Sequence, residues 1–329
     1  MAKRLLRFGT ACLAALLACS ASVAMAAEVT PRMLVPVGHT VGIKLFSKGV
    51  VVVKLSDGGT PARTCGLRTG DVIIQCGGST VTSSEQFQSL LQTCGGTAEL
   101  EVRRNGNSVT LSVEPERNDQ GVYCIGAWIR DSMAGIGTMT YYDPATGDFG
   151  ALGHGITDTD TALLMPFSNG SILPSTVKAV KRGETGSAGE LRGDFDLDTS
   201  LGDLYANTES GIFGTLAVSD YAPACQDAVP IGEAVPGPAV IRSNVEGDAV
   251  EEYEIEILKV VSGTSDGRDL VISVTDPKLL KATGGIVQGM SGSPILQNGK
   301  LVGAVTHVLL NDPTKGYGIL IENMLNAAK

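Results

Sequence analysis

Gly289-Met290-Ser291-Gly292-Ser293-Pro294 is the stretch on which the reading of this chain turns. It follows Gly284-Gly285-Ile286-Val287-Gln288 and precedes the apolar pair Ile295-Leu296, near the end of 329 residues. A serine between glycines suits a tight turn with its hydroxyl exposed. Glycines lack a Cβ, so backbone N–H groups can converge on one point there. Converging amides are the construction of an oxyanion hole, and donors spaced i and i−2 are Ser291 and Gly289. A plain Gly/Ser turn between two strands accounts for the same letters. A nucleophile at Ser291 therefore needs a base and an orienting acid elsewhere.

Upstream, Arg268 to Thr275 reads as a strand that ends in Asp276-Pro277, with a short helix expected over 277–283. Asp276 has two open roles, capping that helix or accepting a hydrogen bond from a histidine. The candidate base is His154, held in Gly153-His154-Gly155. A hairpin delivers it: strand Thr138 to Tyr142, turn Asp143-Pro144-Ala145-Thr146-Gly147, return strand Asp148 to Leu152. A serine hydroxyl is a poor nucleophile at neutral pH, and an imidazole titrates near the working pH. The order His154, Asp276, Ser291 is that of the chymotrypsin class, not of subtilisins or α/β-hydrolases. A loop histidine and a capping aspartate remain the plain alternatives.

The rest of the chain reads as mainly β. Glycine is high at 42 residues and aromatics are low at 5%, with short β-branched runs between Gly, Pro and Asp turns. Past about residue 116 helical patterns appear at 277–283 and 321–328 alone, so a closed barrel or a pair of barrels is expected over 116–329. Residues 35–115 form a separate α+β unit. It has a strand at Val50 to Leu55, a helical turn at Ala62 to Cys65, a strand at Val72 to Gln75 and a helix from Ser83 or Ser84 to about Cys94. Phe87, Leu90 and Leu91 share one face of that helix, and Gly95 ends it.

Residues 1–26 read as an export segment. Lys3, Arg4 and Arg7 precede an apolar run from Phe8 to Ala18, and Ala24-Met25-Ala26 offers a cleavage site. Leu16-Leu17-Ala18-Cys19 is a weak lipidation signal, and a retained anchor is a third possibility. The chain has 25 basic and 35 acidic residues; removing 1–26 takes three basic ones and no acidic ones, leaving a net charge of −13. That argues against nucleic acid and anionic lipid as partners. Five cysteines follow Ala26 (Cys65, Cys76, Cys94, Cys124 and Cys225), an odd number with no CxxC pattern. The three histidines are far apart in sequence, so no metal site and no cofactor are expected.

Pro61-Ala62 followed by Gly66-Leu67-Arg68-Thr69-Gly70-Asp71-Val72-Ile73 resembles a PDZ domain of the bacterial protease type. That resemblance implies peptide binding by strand addition, with Gly38, His39, Thr40, Val41, Gly42 and Ile43 as the carboxylate loop and following strand. His39 itself reads as a solvated loop residue without a catalytic role. Three further segments are similar to the sporulation stage IV B peptidases of endospore-forming bacteria: Gly150 to Asp158, Val274 to Pro277 and Gly284 to Ile295, with continuity through Asn298 to Val308. The resemblance implies a PDZ domain followed by a chymotrypsin-like double β-barrel, and a triad of His154, Asp276 and Ser291. It further implies a secreted regulatory serine endopeptidase in the space between forespore and mother cell. Such an enzyme cleaves itself, here near residues 27–40, and then a membrane-bound regulatory protein of an intramembrane protease. Met290 stands where chymotrypsin-like enzymes usually carry Asp, so this chain cannot use a zymogen switch through that residue. His307 has two readings, a lining of the specificity pocket or a buried structural histidine. A non-catalytic PDZ scaffold and a broad-specificity extracytoplasmic quality-control protease are the competing functions.

Overall fold

The computed structural model describes residues 32–217, 221, 223, 226–261 and 267–329. Residues 33–329 form one compact unit. The expected export segment, Cys19 and Cys225 lie outside the described residues; Cys65, Cys76, Cys94 and Cys124 are free thiols.

One closed barrel runs through six strands in the order Gly237–Ser243, Glu251–Val260, Leu270–Val274, Lys315–Leu320, Lys300–Val308 and Pro294–Gln297. The strand Glu251–Val260 shows why it closes. Tyr253, Ile255 and Ile257 are buried while Glu252, Glu254 and Glu256 are exposed, the period of two of a sheet with one wet face. The first barrel along the chain, preceding that one in sequence, is a ring of Ala127–Tyr142, Asp148–Ala151, Gly211–Leu216, Gly202–Thr208, Phe167–Lys181 and Thr40–Leu55, the last pairing back with the first. Its interior holds Val41, Ile43, Met139, Phe149, Ile172 and Ile212. The C-terminal helix Ile321–Ala327 buries Ile321, Met324 and Leu325 against Leu34, Tyr141 and Phe213. The architecture is the expected one, mainly β with a PDZ domain and two barrels.

The PDZ body packs around Val52, Leu67, Ile73, Phe87, Leu91 and Leu100. Its helix Ser84–Cys94 starts where read from sequence: the Ser83 hydroxyl accepts the Gln86 N–H at 3.1 Å, and Gly95 ends it in the left-handed region at φ 61°.

Thr40–Leu55 is a single 16-residue strand rather than a loop and a separate strand. Its first half belongs to the barrel and its second half to the PDZ body. Thr40 to Phe46 pairs with the 132–138 stretch on one side, and Val41 to Phe46 pairs with the 169–174 stretch on the other. Gly38 N–H donates to Met139 O at 2.9 Å, and Thr40 N–H donates to the Asn244 side chain at 2.6 Å. Gly38, His39, Thr40, Val41, Gly42 and Ile43 therefore present no free edge to an incoming peptide, which corrects their expected role. His39 is 9% exposed, not a solvated loop residue. The glycines that suggested a loop have packing reasons. A Cβ on Gly42 would sit 2.6 Å from the Phe195 side chain, and Gly38 at φ +72° abuts the Arg242 backbone. The first barrel thus draws residues 40–46 from the stretch read as PDZ, and the PDZ body is inserted between its strands.

Candidate active site

The turn around Ser291 has a nearly complete hydrogen-bond account. Gln288 N–H donates to Gly189 O, Met290 N–H to Val287 O, Gly292 N–H to Val305 O and Ser293 N–H to Met290 O, all between 2.8 and 3.1 Å. The carbonyls of Gln288, Gly289 and Ser291 accept from Leu191 N–H, the Thr138 hydroxyl and Thr138 N–H. Among the described residues, the N–H groups of Gly289 and Ser291 donate to no protein acceptor. Their i−2 and i spacing is the one expected from the sequence for the donors of an oxyanion hole. Gly289 and Gly292 hold φ +96° and +97°, and a Cβ on Gly292 would lie 2.0 Å from Thr138 O. Only glycine fits there.

His154 arrives from the hairpin as read. Leu152 and Gly153 both take φ +69°, which turns the chain sharply out of the strand Asp148–Ala151. The hairpin thereby places the imidazole in the same cleft as Ser291. His154, Ser291, Gly289 and His307 line one cleft of about 570 Å³, with Ile136, Leu152, Ile286 and Val308 among its apolar walls. Burial pushes the His154 pKa below its ordinary 6.5, against the pull of the Gly155 carbonyl 2.9 Å from Nδ1. The ring is therefore neutral at neutral pH, the state a general base needs. A carbonyl can only accept, so Nδ1 carries the proton and Nε2 is left to take one. The Ser291 hydroxyl donates to Thr306 O at 2.7 Å, so it must rotate to donate to His154.

Residues 121–325 match the family model described as SpoIVB peptidase S55, and residues 31–114 match that of a PDZ domain. The chain belongs to the SpoIVB peptidase S55 family. It carries a PDZ domain together with the region that matches this peptidase family. Over 57 residues it is 40% identical to Serine protease HTRA1 of Xenopus tropicalis, a match that covers 17% of this chain and 12% of that protein. Among solved structures, the PDZ domain of an SdrC-like protein from Listeria monocytogenes aligns at 21% identity and TM-score 0.23, covering 25% of this chain and 87% of that one. The Rv3671c protease in an inactive form aligns at 12% identity and TM-score 0.32, covering 58% of this chain and 81% of that one.

In this S55 peptidase Asp276 is not brought to His154. It caps the helix Pro277–Thr283, with Oδ1 accepting Leu279 N–H at 2.9 Å and Oδ2 facing Glu254 N–H at 3.4 Å. Of the two open roles for Asp276 the structure shows the cap, and the Gly155 carbonyl stands at Nδ1 instead. His307 lies with its ring centroid 5.0 Å from that of His154, tilted by 35°, so the cleft holds two imidazoles. It lines the cleft wall and is half-buried. A larger groove of about 720 Å³ outside the second barrel holds none of these residues. Among the described residues no group of acidic, histidine and cysteine side chains could hold a metal ion.

Two contributors were not legible in the sequence. Thr138 reads as an ordinary β-branched strand residue, yet it braces the turn around Ser291 twice. Glu209, on the turn between Gly202–Thr208 and Gly211–Leu216, faces the same cleft. Neither has a motif to mark it.

Proposed function

We propose that this chain is an exported regulatory serine endopeptidase that cleaves itself and a membrane-associated regulatory protein in signalling between cell compartments during sporulation. The observation that carries the peptidase chemistry is the pair of undonated N–H groups, Gly289 and Ser291, flanking a hydroxyl in the cleft that holds a neutral His154. His154 takes the Ser291 proton as Oγ attacks the scissile carbonyl, and the oxyanion settles on the two N–H groups. The C–N bond then breaks as the same imidazole protonates the leaving amine. Water, deprotonated by His154, releases the acyl group and restores Ser291. His154 is oriented through Nδ1 by the Gly155 carbonyl. Asp276, the acid that the family resemblance implies, would have to leave its helix cap to join them.

The regulatory reading rests on the family and on the PDZ body. The PDZ body shares its two longest strands with the barrel that carries His154, so the two parts are not free to tumble apart. The proposed site of action is the space between forespore and mother cell. A serine-reactive fluorophosphonate tests the chemistry: labelling of the wild type but not of Ser291→Ala supports it, and labelling of neither refutes it. N-terminal sequencing of the secreted chain, with and without Ser291→Ala, tests export and self-cleavage together. Loss of a cut near residues 27–40 in the variant supports self-cleavage; an unchanged N-terminus contradicts it.

A further inference from the structure

We propose that Thr138 is a positioning residue for the oxyanion hole, acting through the Gly289–Met290 peptide; this rests on the peptidase reading above. The two open donors belong to the peptides 288–289 and 290–291. The peptide between them, 289–290, decides how those two are aimed relative to each other. It is pinned at both ends. Its N–H donates to Val287 O at 3.1 Å, and its carbonyl accepts the Thr138 hydroxyl at 2.7 Å.

Gly289 sits at φ +96° and flanks a second positive-φ glycine at 292. Such a backbone has more than one low-energy setting for the intervening plane, because glycine explores both signs of φ. Something outside the turn must select one setting. Thr138 is fully buried and belongs to the strand Ala127–Tyr142, which pairs with Thr40–Leu55 up to Thr138 itself. It is therefore a rigid post. Its own N–H donates to Ser291 O at 2.9 Å, and its carbonyl accepts Leu152 N–H at 3.1 Å. One residue thus contacts the nucleophile turn on both sides of Ser291 and also the segment that delivers His154. The hydroxyl is the one part of this arrangement that a side-chain change can remove while leaving the backbone contacts.

Without the hydroxyl, Gly289 O has no partner among the described residues. A buried carbonyl without a donor is costly, so the 289–290 plane turns to find one. The N–H groups of Gly289 and Ser291 then diverge, and the oxyanion loses one of its donors. Removing one donor from such a hole slows chemistry by about 10²–10³-fold. A misaimed donor is expected to slow it by at least about tenfold.

The test uses the full chain with Thr138→Val, which removes the hydroxyl, and Thr138→Ser, which keeps it. Three quantities are read: the second-order rate of fluorophosphonate labelling at Ser291, kcat and KM for p-nitrophenyl acetate, and Tm. In Thr138→Val the labelling rate and kcat are expected to fall at least about tenfold, with KM unchanged within about twofold. Thr138→Ser is expected to restore both rates to within about threefold of wild type. If Thr138→Val does not fold, Thr138→Ala carries the same comparison with Thr138→Ser. Equal rates in wild type and Thr138→Val overturn this proposal alone. A Thr138→Ser as slow as Thr138→Val also overturns it, because shape and not the hydroxyl would then matter. A wild type that neither labels nor hydrolyses the ester overturns the proposal together with the peptidase reading.

Discussion

Arg130 and Asp158 form an ion pair that ties the loop after His154 to the strand Ala127–Tyr142. Arg130 also reaches Asp160 at 2.8 Å. Asp158 is almost fully buried, and Thr161 donates to it from both its N–H and its hydroxyl. The bridge runs from the strand that leaves the PDZ body to the loop whose Thr157 and Thr159 face the cleft.

Arg130→Ala is expected to lower stability by about 2 kcal/mol. That is less than the roughly 3–5 kcal/mol of breaking a fully buried pair, because Arg130 is partly exposed and Thr161 still satisfies Asp158. Chemical denaturation of the full chain checks this. A change under about 0.5 kcal/mol would mean that the pair contributes nothing.

Acid should destabilise the same loop. Burial works to raise the Asp158 pKa, but Thr161 and Arg130 together bring it below the ordinary 3.8. The folded chain then binds fewer protons here than the unfolded chain. This contribution is full above the unfolded pKa and is lost as pH falls through the folded one. Denaturation midpoints between about pH 5 and pH 2 should fall less in Asp158→Asn than in wild type.

His154 works in the opposite sense from a histidine with an acid partner. Burial lowers its pKa below 6.5, so protonation costs the folded state more than the unfolded one. Stability from this group is present above the unfolded pKa and declines as pH falls below it. Activity should hold through neutral pH, with its acid limb below 6.5. A profile whose acid limb lies above pH 7 would show a carboxylate raising the His154 pKa.

Asp276 separates capping from catalysis. Asparagine caps helices as well as aspartate does, so Asp276→Asn is expected to change stability by less than about 0.5 kcal/mol, and Asp276→Ala to cost about 1 kcal/mol. Labelling and ester hydrolysis by Asp276→Asn should stay within about threefold of wild type. A fall approaching 10⁴-fold would reinstate Asp276 as the acid of a triad.

The sequence carried the parts that depend on short-range pattern. The hairpin that delivers His154, the helix caps at Ser83, Gly95 and Asp276, and the glycine turn around Ser291 all follow local rules of φ and side-chain capping. It misplaced what depends on long-range pairing. Gly38 and Gly42 look like a flexible loop, but they are glycines because Arg242 and Phe195 press on them from over 150 residues away in sequence. Strand addition needs a free edge, and no local pattern reveals that both edges of Thr40–Leu55 are taken. Thr138 escaped notice for the same reason, since its partners Gly289 and Ser291 come from the other barrel.

Gly292→Ala probes the turn itself. At φ +97°, with Thr138 O 2.0 Å from the new Cβ, it is expected to cost about 3 kcal/mol or more and to abolish labelling. Thermal unfolding with and without the probe checks it.

The most direct measurement is the rate of covalent labelling by a fluorophosphonate in wild type, Ser291→Ala and His154→Ala. The expected result is stoichiometric labelling of wild type at Ser291, none in Ser291→Ala, and a rate lowered by at least about 10³-fold in His154→Ala. Wild-type labelling at any other serine, or a His154→Ala that labels as fast as wild type, would contradict the assignment of this pair.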